Sequence, residues 1–142
     1  MASAGIDLKK RIREVFAAYE AKDVERVLST VTDDVSLEDV AHGFVARGKD
    51  QARTGLQRLF TAFPDLKLDI KFYFDTGDRE CIEYVMSGTH SADYLGVPAT
   101  GKRISVPGVA VAELREGKAY RISQYLDAAS FMRQLGVLPP HK

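Results

Sequence analysis

The sequence predicts an α+β fold in which helices pack on the concave face of a curved antiparallel sheet. Three observations carry this prediction. Apolar residues up to Phe63 recur mostly at helical spacing. From Leu66 the chain reads as strands, opening on a nearly unbroken alternation of large apolar and charged residues. A short helical pattern then closes the chain. Helices and strands segregated in this way form an α+β layer structure. A sheet bent around helices makes a cone, and the mouth of a cone is a natural ligand pocket.

In chain order, Leu8, Ile12, Val15, Phe16 and Tyr19 share one face of a first helix. Asp23 is placed to cap a second, short helix whose inner face is Val24, Val27, Leu28 and Val31, with Thr32-Asp33-Asp34 closing it. Val35–Val40 reads as a short strand and Ala41–Gly48, with two glycines, as a loop. Asp50–Phe63 is the third helix, with Ala52, Leu56, Leu59, Phe60 and Phe63 on one side and Pro64 as its stop. Leu66–Phe74 alternates as a strand with one buried face, and Asp75-Thr76-Gly77-Asp78 turns the chain. Glu80–His90 is the next strand, and Ser91–Thr100 is a loop containing Gly96 and Pro98. Lys102–Arg115 and Lys118–Leu126 form a hairpin about Glu116-Gly117. Asp127 caps the last helix, which carries Phe131, Met132 and Leu135; Gly136 ends it and Pro139-Pro140 forbids continuation.

With 142 residues, the chain is read as one domain spanning 1–142. Twenty Lys+Arg balance twenty Asp+Glu, which argues against a nucleic-acid partner or an anionic membrane surface. No apolar run approaches the roughly 20 residues of a membrane span. Met1–Leu8 shows no basic segment followed by an apolar one, so no signal peptide is expected and the predicted location is cytoplasmic. Cys81 is the only cysteine, which excludes a disulfide framework. His42, His90 and His141 are widely spaced, so no metal site is expected. Dinucleotide and P-loop fingerprints are absent, and no cofactor is expected.

Several motifs resemble the SnoaL-like polyketide cyclase family. They are Phe60-Thr61-Ala62-Phe63-Pro64-Asp65-Leu66, Ser87-Gly88-Thr89-His90, Leu95-Gly96-Val97-Pro98-Ala99-Thr100-Gly101-Lys102, Glu116-Gly117-Lys118 and Arg133-Gln134-Leu135-Gly136. The resemblance implies the cone-shaped fold of the nuclear-transport-factor-2-like superfamily, an apolar small-molecule substrate and a homodimer. Superfamily members include cyclases, isomerases, dehydratases, hydrolases and binding domains, so the fold leaves the chemistry open.

Asp39 closes the first predicted strand, and Glu38-Asp39 resembles the acidic pair at which ketosteroid isomerases carry their general base. A carboxylate walled in by apolar groups holds a proton more tightly, which suits it to deprotonating carbon beside a carbonyl. Strand alternation turns Glu38 to the other face. His42 either overhangs the pocket, donating a proton or orienting Asp39, or lies exposed on its loop. His90 is read both as a proton shuttle at the pocket rim and as a strand-end residue tied to backbone. Family cyclases carry an Asp on the last strand with a His across the hairpin; the matching positions here are Gln124 and Ala110. Gln124 bonds an oxyanion but is no general base. Tyr19, Phe60, Phe63, Tyr84, Met86, Ile122 and Leu126 are candidates for the pocket wall, alongside Ala110. Asp127 is read as a helix cap. Two functions follow: cofactor-free proton abstraction beside a carbonyl, of cyclase or isomerase type, or non-catalytic binding of a small ligand by a domain that has lost its catalytic pair.

Overall fold

The structure, a computed structural model, describes residues 9–139. Leu8, the leader reading of Met1–Leu8, Pro140 and His141 lie outside the described residues. Among the described residues four helices accompany one six-stranded sheet: α1 (Lys10–Glu20), α2 (Val24–Leu28), β1 (Val31–Asp39), β2 (Phe44–Arg47), α3 (Gly48–Ala62), β3 (Lys67–Asp75), β4 (Arg79–Thr89), β5 (Arg103–Arg115), β6 (Lys118–Leu126) and α4 (Ala128–Leu135). The strand order is β2-β1-β6-β5-β4-β3.

Local chemistry sets the helix ends. The Asp23 carboxylate accepts from the Arg26 backbone N–H at 3.2 Å and the Asp127 carboxylate from Ser130 N–H at 3.0 Å, each relieving an orphan donor of a first turn. Gly136 follows α4 with φ 82°, a left-handed C-cap that a side chain would strain. Pro107 sits inside the long central strand β5 at no cost to the ladder. Its carbonyl accepts from Asp127 N–H at 3.1 Å, so its missing N–H faces the side where β6 has already ended.

Four expectations are corrected. Thr32-Asp33-Asp34 does not close α2; these residues already belong to β1, which starts at Val31. The loop expected at Ala41–Gly48 contains β2, a four-residue strand too short to display a period. The sheet is mixed rather than antiparallel, because β1 runs parallel to β6; turn chemistry pairs consecutive strands but carries no information about strands from opposite ends of the chain. Finally, Leu66–Phe74 does not keep one buried face. A β-bulge between Ile70 and Phe72 swaps the faces, so Phe72 and Phe74 stand 53% and 52% exposed on the open side of the sheet.

The core lies between the helices and the covered face of the sheet. Phe63, Phe131, Leu66, Ile104 and Val106 are among its most deeply buried members. Phe63 touches three rings: His90 stacks on it at 5.6 Å, and Tyr94 and Phe131 meet it edge-on at 5.5 and 6.0 Å. Among the described residues no helix is long and apolar enough to cross a membrane.

Candidate functional site

Strand register lays out the floor of a cavity. Asp39 on β1, Gln124 on β6, Ala110 on β5 and Ile82 on β4 form one cross-strand row. Leu37, Ile122, Ala112 and Glu80 form the adjacent row. Helices α1 and α3 roof this face with Phe16, Tyr19, Leu56 and Leu59. The cavity between them is open at its mouth, measures about 170 Å³ and is mostly apolar.

At one end, Asp39 and His42 form a pair. A tight turn follows β1: Gly43 N–H donates to the Asp39 carbonyl at 2.8 Å and His42 N–H to Asp39 Oδ1 at 3.0 Å. That turn folds the imidazole back, so its Nδ1 lies 2.9 Å from Asp39 Oδ2. Both side chains are largely buried, with 15% of the Asp39 and 10% of the His42 side chain exposed. Asp39 is therefore no lone carboxylate, and His42 is not the exposed loop residue of one sequence reading. With Nδ1 donating to Asp39, a neutral His42 carries its lone pair on Nε2. That nitrogen is buried and has no hydrogen-bond partner among the described residues.

Gln124 stands beside Asp39 in the parallel β1–β6 register. The Tyr84 hydroxyl donates to its Oε1, which leaves the amide NH₂ without a partner among the described residues. Tyr84 reaches that far because Gly108 lies under its ring. A Cβ there would sit 2.8 Å from the hydroxyl oxygen and 2.9 Å from Cζ. Gly108→Ala is accordingly expected to push Tyr84 off Gln124 and destabilise the fold by about 1–3 kcal/mol, as overpacking does. Denaturant unfolding measures the loss, and a structure of the variant shows whether the Tyr84–Gln124 bond is gone.

Two further hydroxyls line this cavity, those of Tyr19 and Tyr94. Burial pushes Tyr19 up to about 12. Burial also raises Tyr84 and Tyr94, and the negative charge of Asp39 adds to the effect on both. All three phenols therefore stay protonated at neutral pH and serve as donors.

The other predicted site residues divide. Tyr19, Tyr84, Met86, Ala110, Ile122 and Leu126 line the cavity together with Asp39, His42 and Gln124. Ala110 and Gln124 are direct cross-strand partners, as hairpin arithmetic requires. Phe60 and Phe63 are core residues outside the lining. His90 is not brought to the cavity either. It is fully buried; the Thr100 backbone N–H donates to its Nδ1 at 3.2 Å, and the Thr100 hydroxyl lies 3.0 Å from the same atom. Thr89 beside it holds Asp65 through N–H and hydroxyl at 2.7 and 2.8 Å. The Gly-Thr-His motif thus clamps a strand end. These bonds hold the Asp65 carboxyl below the usual carboxylate range.

Sequence reasoning missed Tyr94, Arg11 and Glu80, which also line the cavity. Tyr94 lies in an irregular segment with no period to read. Glu80 was legible only as the start of a strand, yet it is 2% exposed, with Oε1 bonded to Arg11 Nη1 at 2.5 Å. Burial raises its carboxyl, and Arg11 pulls the other way. Among the described residues no group of three His, Cys, Asp or Glu side chains is placed to hold a metal.

A mixed six-stranded sheet closed by helices over an apolar cavity is the architecture of the nuclear-transport-factor-2-like, ketosteroid-isomerase-like proteins. A protein with that fold from Catenulispora acidiphila, solved with trimethylamine, superposes with a TM-score of 0.78 at 19% identity, covering 93% of this chain and 96% of the other. TsrD from Streptomyces laurentii superposes at 0.81 with 24% identity, over 93% of this chain and all of its own. A protein described as a SnoaL-like polyketide cyclase from Jannaschia sp. CCS1 superposes at 0.81 with 21% identity, over 96% of this chain and 100% of that one. Residues 8–135 match the SnoaL-like polyketide cyclase family, and the chain belongs to it. That is a family of cyclase- and isomerase-type small-molecule enzymes. No curated protein matches the sequence.

Proposed function

We propose that the protein deprotonates carbon beside a carbonyl in an apolar ketone of one or two rings, without a cofactor, leading to ring closure or isomerisation. The observation that carries this reading is the Asp39–His42 pair at 2.9 Å in the wall of an apolar cavity. His42 Nε2 takes the proton. Asp39 holds the ring in the Nδ1–H tautomer and balances the imidazolium that forms. Asp39 thereby acts through His42 rather than as the base itself. The unpartnered NH₂ of Gln124, together with the Tyr94 or Tyr19 hydroxyl, donates to the developing enolate oxygen. A closed apolar cavity of about 150 Å³ takes a benzene-sized guest, and this one, at about 170 Å³ and open at its mouth, has room for a ring with part of the substrate reaching towards the opening.

One observation favours a second reading. Gln124 and Ala110 stand opposite each other where family cyclases carry an acid and a histidine. A binding domain without turnover has that composition. Deuterium uptake by β-tetralone in D₂O, followed by proton NMR, separates the two. Uptake faster than the buffer rate supports the enzyme. Saturable binding with no acceleration supports the binding domain.

Homodimerisation belongs to the same proposal. The open face of the sheet carries Phe72, Phe74, Val111 and Tyr125, all exposed, and covering them with a second copy removes apolar area from water. Phe72→Lys combined with Phe74→Glu is expected to shift sedimentation from dimer to monomer. Unchanged sedimentation would remove this face as the interface.

A further inference from the structure

The Asp39 end is only one polar pole of the cavity. The other is Glu80, at the start of β4. Its side chain is 1% exposed, and it belongs to the cavity lining together with Arg11. Only one carboxylate oxygen is used: Oε1 accepts from Arg11 Nη1 at 2.5 Å, while Oε2 is buried with no hydrogen-bond partner among the described residues. Arg11 also donates through Nε to the Gly117 carbonyl at 3.1 Å and through Nη2 to the Thr30 carbonyl at 3.3 Å. The guanidinium is thus held by three separate segments, and the carboxylate it positions cannot swing out to water. An acceptor buried without a partner costs free energy, and a group that supplies a donor to it recovers that cost.

The position of this oxygen matters. Glu80 lies three strands away from Asp39 and one row along, a backbone separation of roughly 15 Å by standard strand spacings. Ile82, Ala110, Ala112 and Ile122 occupy the floor between the two ends and offer no side-chain polar atom. The cavity thus has donors and a base at one end, apolar wall in the middle, and at the other end Glu80, a lining residue with one buried, unpartnered carboxylate oxygen.

We propose that Glu80 Oε2 is a ligand-binding subsite that accepts a hydrogen bond from a hydroxyl at the end of the ligand remote from its carbonyl. The substrate class is accordingly a hydroxylated ketone, polar at both tips. Arg11 is the positioning residue: it fixes the carboxylate and neutralises it. This inference rests on the cavity being the ligand site and is independent of whether a proton is then removed.

Three probes test it by calorimetry: β-tetralone, its derivative with a hydroxyl at the far end of the aromatic ring, and the corresponding methyl ether, which accepts but does not donate. The wild type is expected to bind the hydroxyl compound about tenfold or more tightly than the other two, the size of a hydrogen bond to a charged acceptor. Glu80→Gln turns its amide oxygen to Arg11 and its NH₂ to the ligand, and is expected to erase that preference. If the single variant fails to fold, Arg11→Met with Glu80→Leu removes both charges together, a change buried pairs tolerate, and is expected to erase it too. Equal affinities for the three probes in the wild type would overturn the proposal. So would tightest binding of the methyl ether, a preference that survives both variants, or no binding of any probe at millimolar concentration. A hydroxyl preference without deuterium uptake would sink the proton-transfer reading and leave this subsite standing; uptake without the preference would do the reverse.

Discussion

Asp39→Asn is expected to slow deuterium uptake beside the carbonyl by about 10²–10⁴-fold, the range supplied by a positioned acid–base group, while ligand affinity stays within about twofold of wild type, because the amide keeps the carboxylate's size. The amide would present its NH₂ to His42 Nδ1, now 2.9 Å from Oδ2. The imidazole proton would then move to Nε2, and the ring would enter the reaction in the wrong tautomer. His42→Ala is expected to cost at least as much, and the double variant no more than the worse single, since the two act as a unit. NMR exchange rates for the three variants provide the measurement. Wild-type rates in Asp39→Asn would remove the pair from the mechanism and leave the binding reading.

Phe63→Ala should have the largest effect on stability, about 3–5 kcal/mol, the usual cost of deleting a buried aromatic. Phe63 is completely buried and contacts His90, Tyr94 and Phe131 together. Its loss leaves a void between the α3 terminus, the Ser91–Thr100 segment and α4, three elements that no strand ladder ties to one another. A melting temperature lower by about 10 °C or more is expected, on the entropy scale of a domain this size. The variant also separates two roles, since Phe63 is absent from the cavity lining. Below its melting point it should bind β-tetralone like the wild type; a selective loss of binding at full foldedness would make Phe63 part of the site after all.

Most of the fold was legible because its signals are local. The Asp23 and Asp127 caps, the Gly136 stop and the β5–β6 hairpin each depend on residues within a few positions, and the structure places them where the sequence does. Hairpin arithmetic even put Ala110 opposite Gln124. The bulge after Ile70 escaped notice because the sequence alternation continues through it unchanged; only pairing with β4 reveals the extra residue that turns Phe72 and Phe74 outward. The parallel β1–β6 contact was hidden for a related reason, since one helix and four strands lie between its two strands in the chain, and no turn residue describes a pairing across that distance.

The candidate site divides along the same line. Asp39 and its neighbour His42 could be read from the chain, because a three-residue turn brings them together. Their pairing with Gln124, and the reach of Tyr84 across Gly108, come from strand register and close backbone approach. Glu80 is the clearest case. In sequence it is one acid among twenty acidic residues, and nothing nearby marks it. Sequence by itself determined the four helices, the long strands and the caps at Asp23, Asp127 and Gly136, since backbone dihedrals and side-chain periodicity act over short range. Only the tertiary structure decided which polar atoms lose their water, because burial is a property of what packs over a residue and not of the residues beside it in the chain.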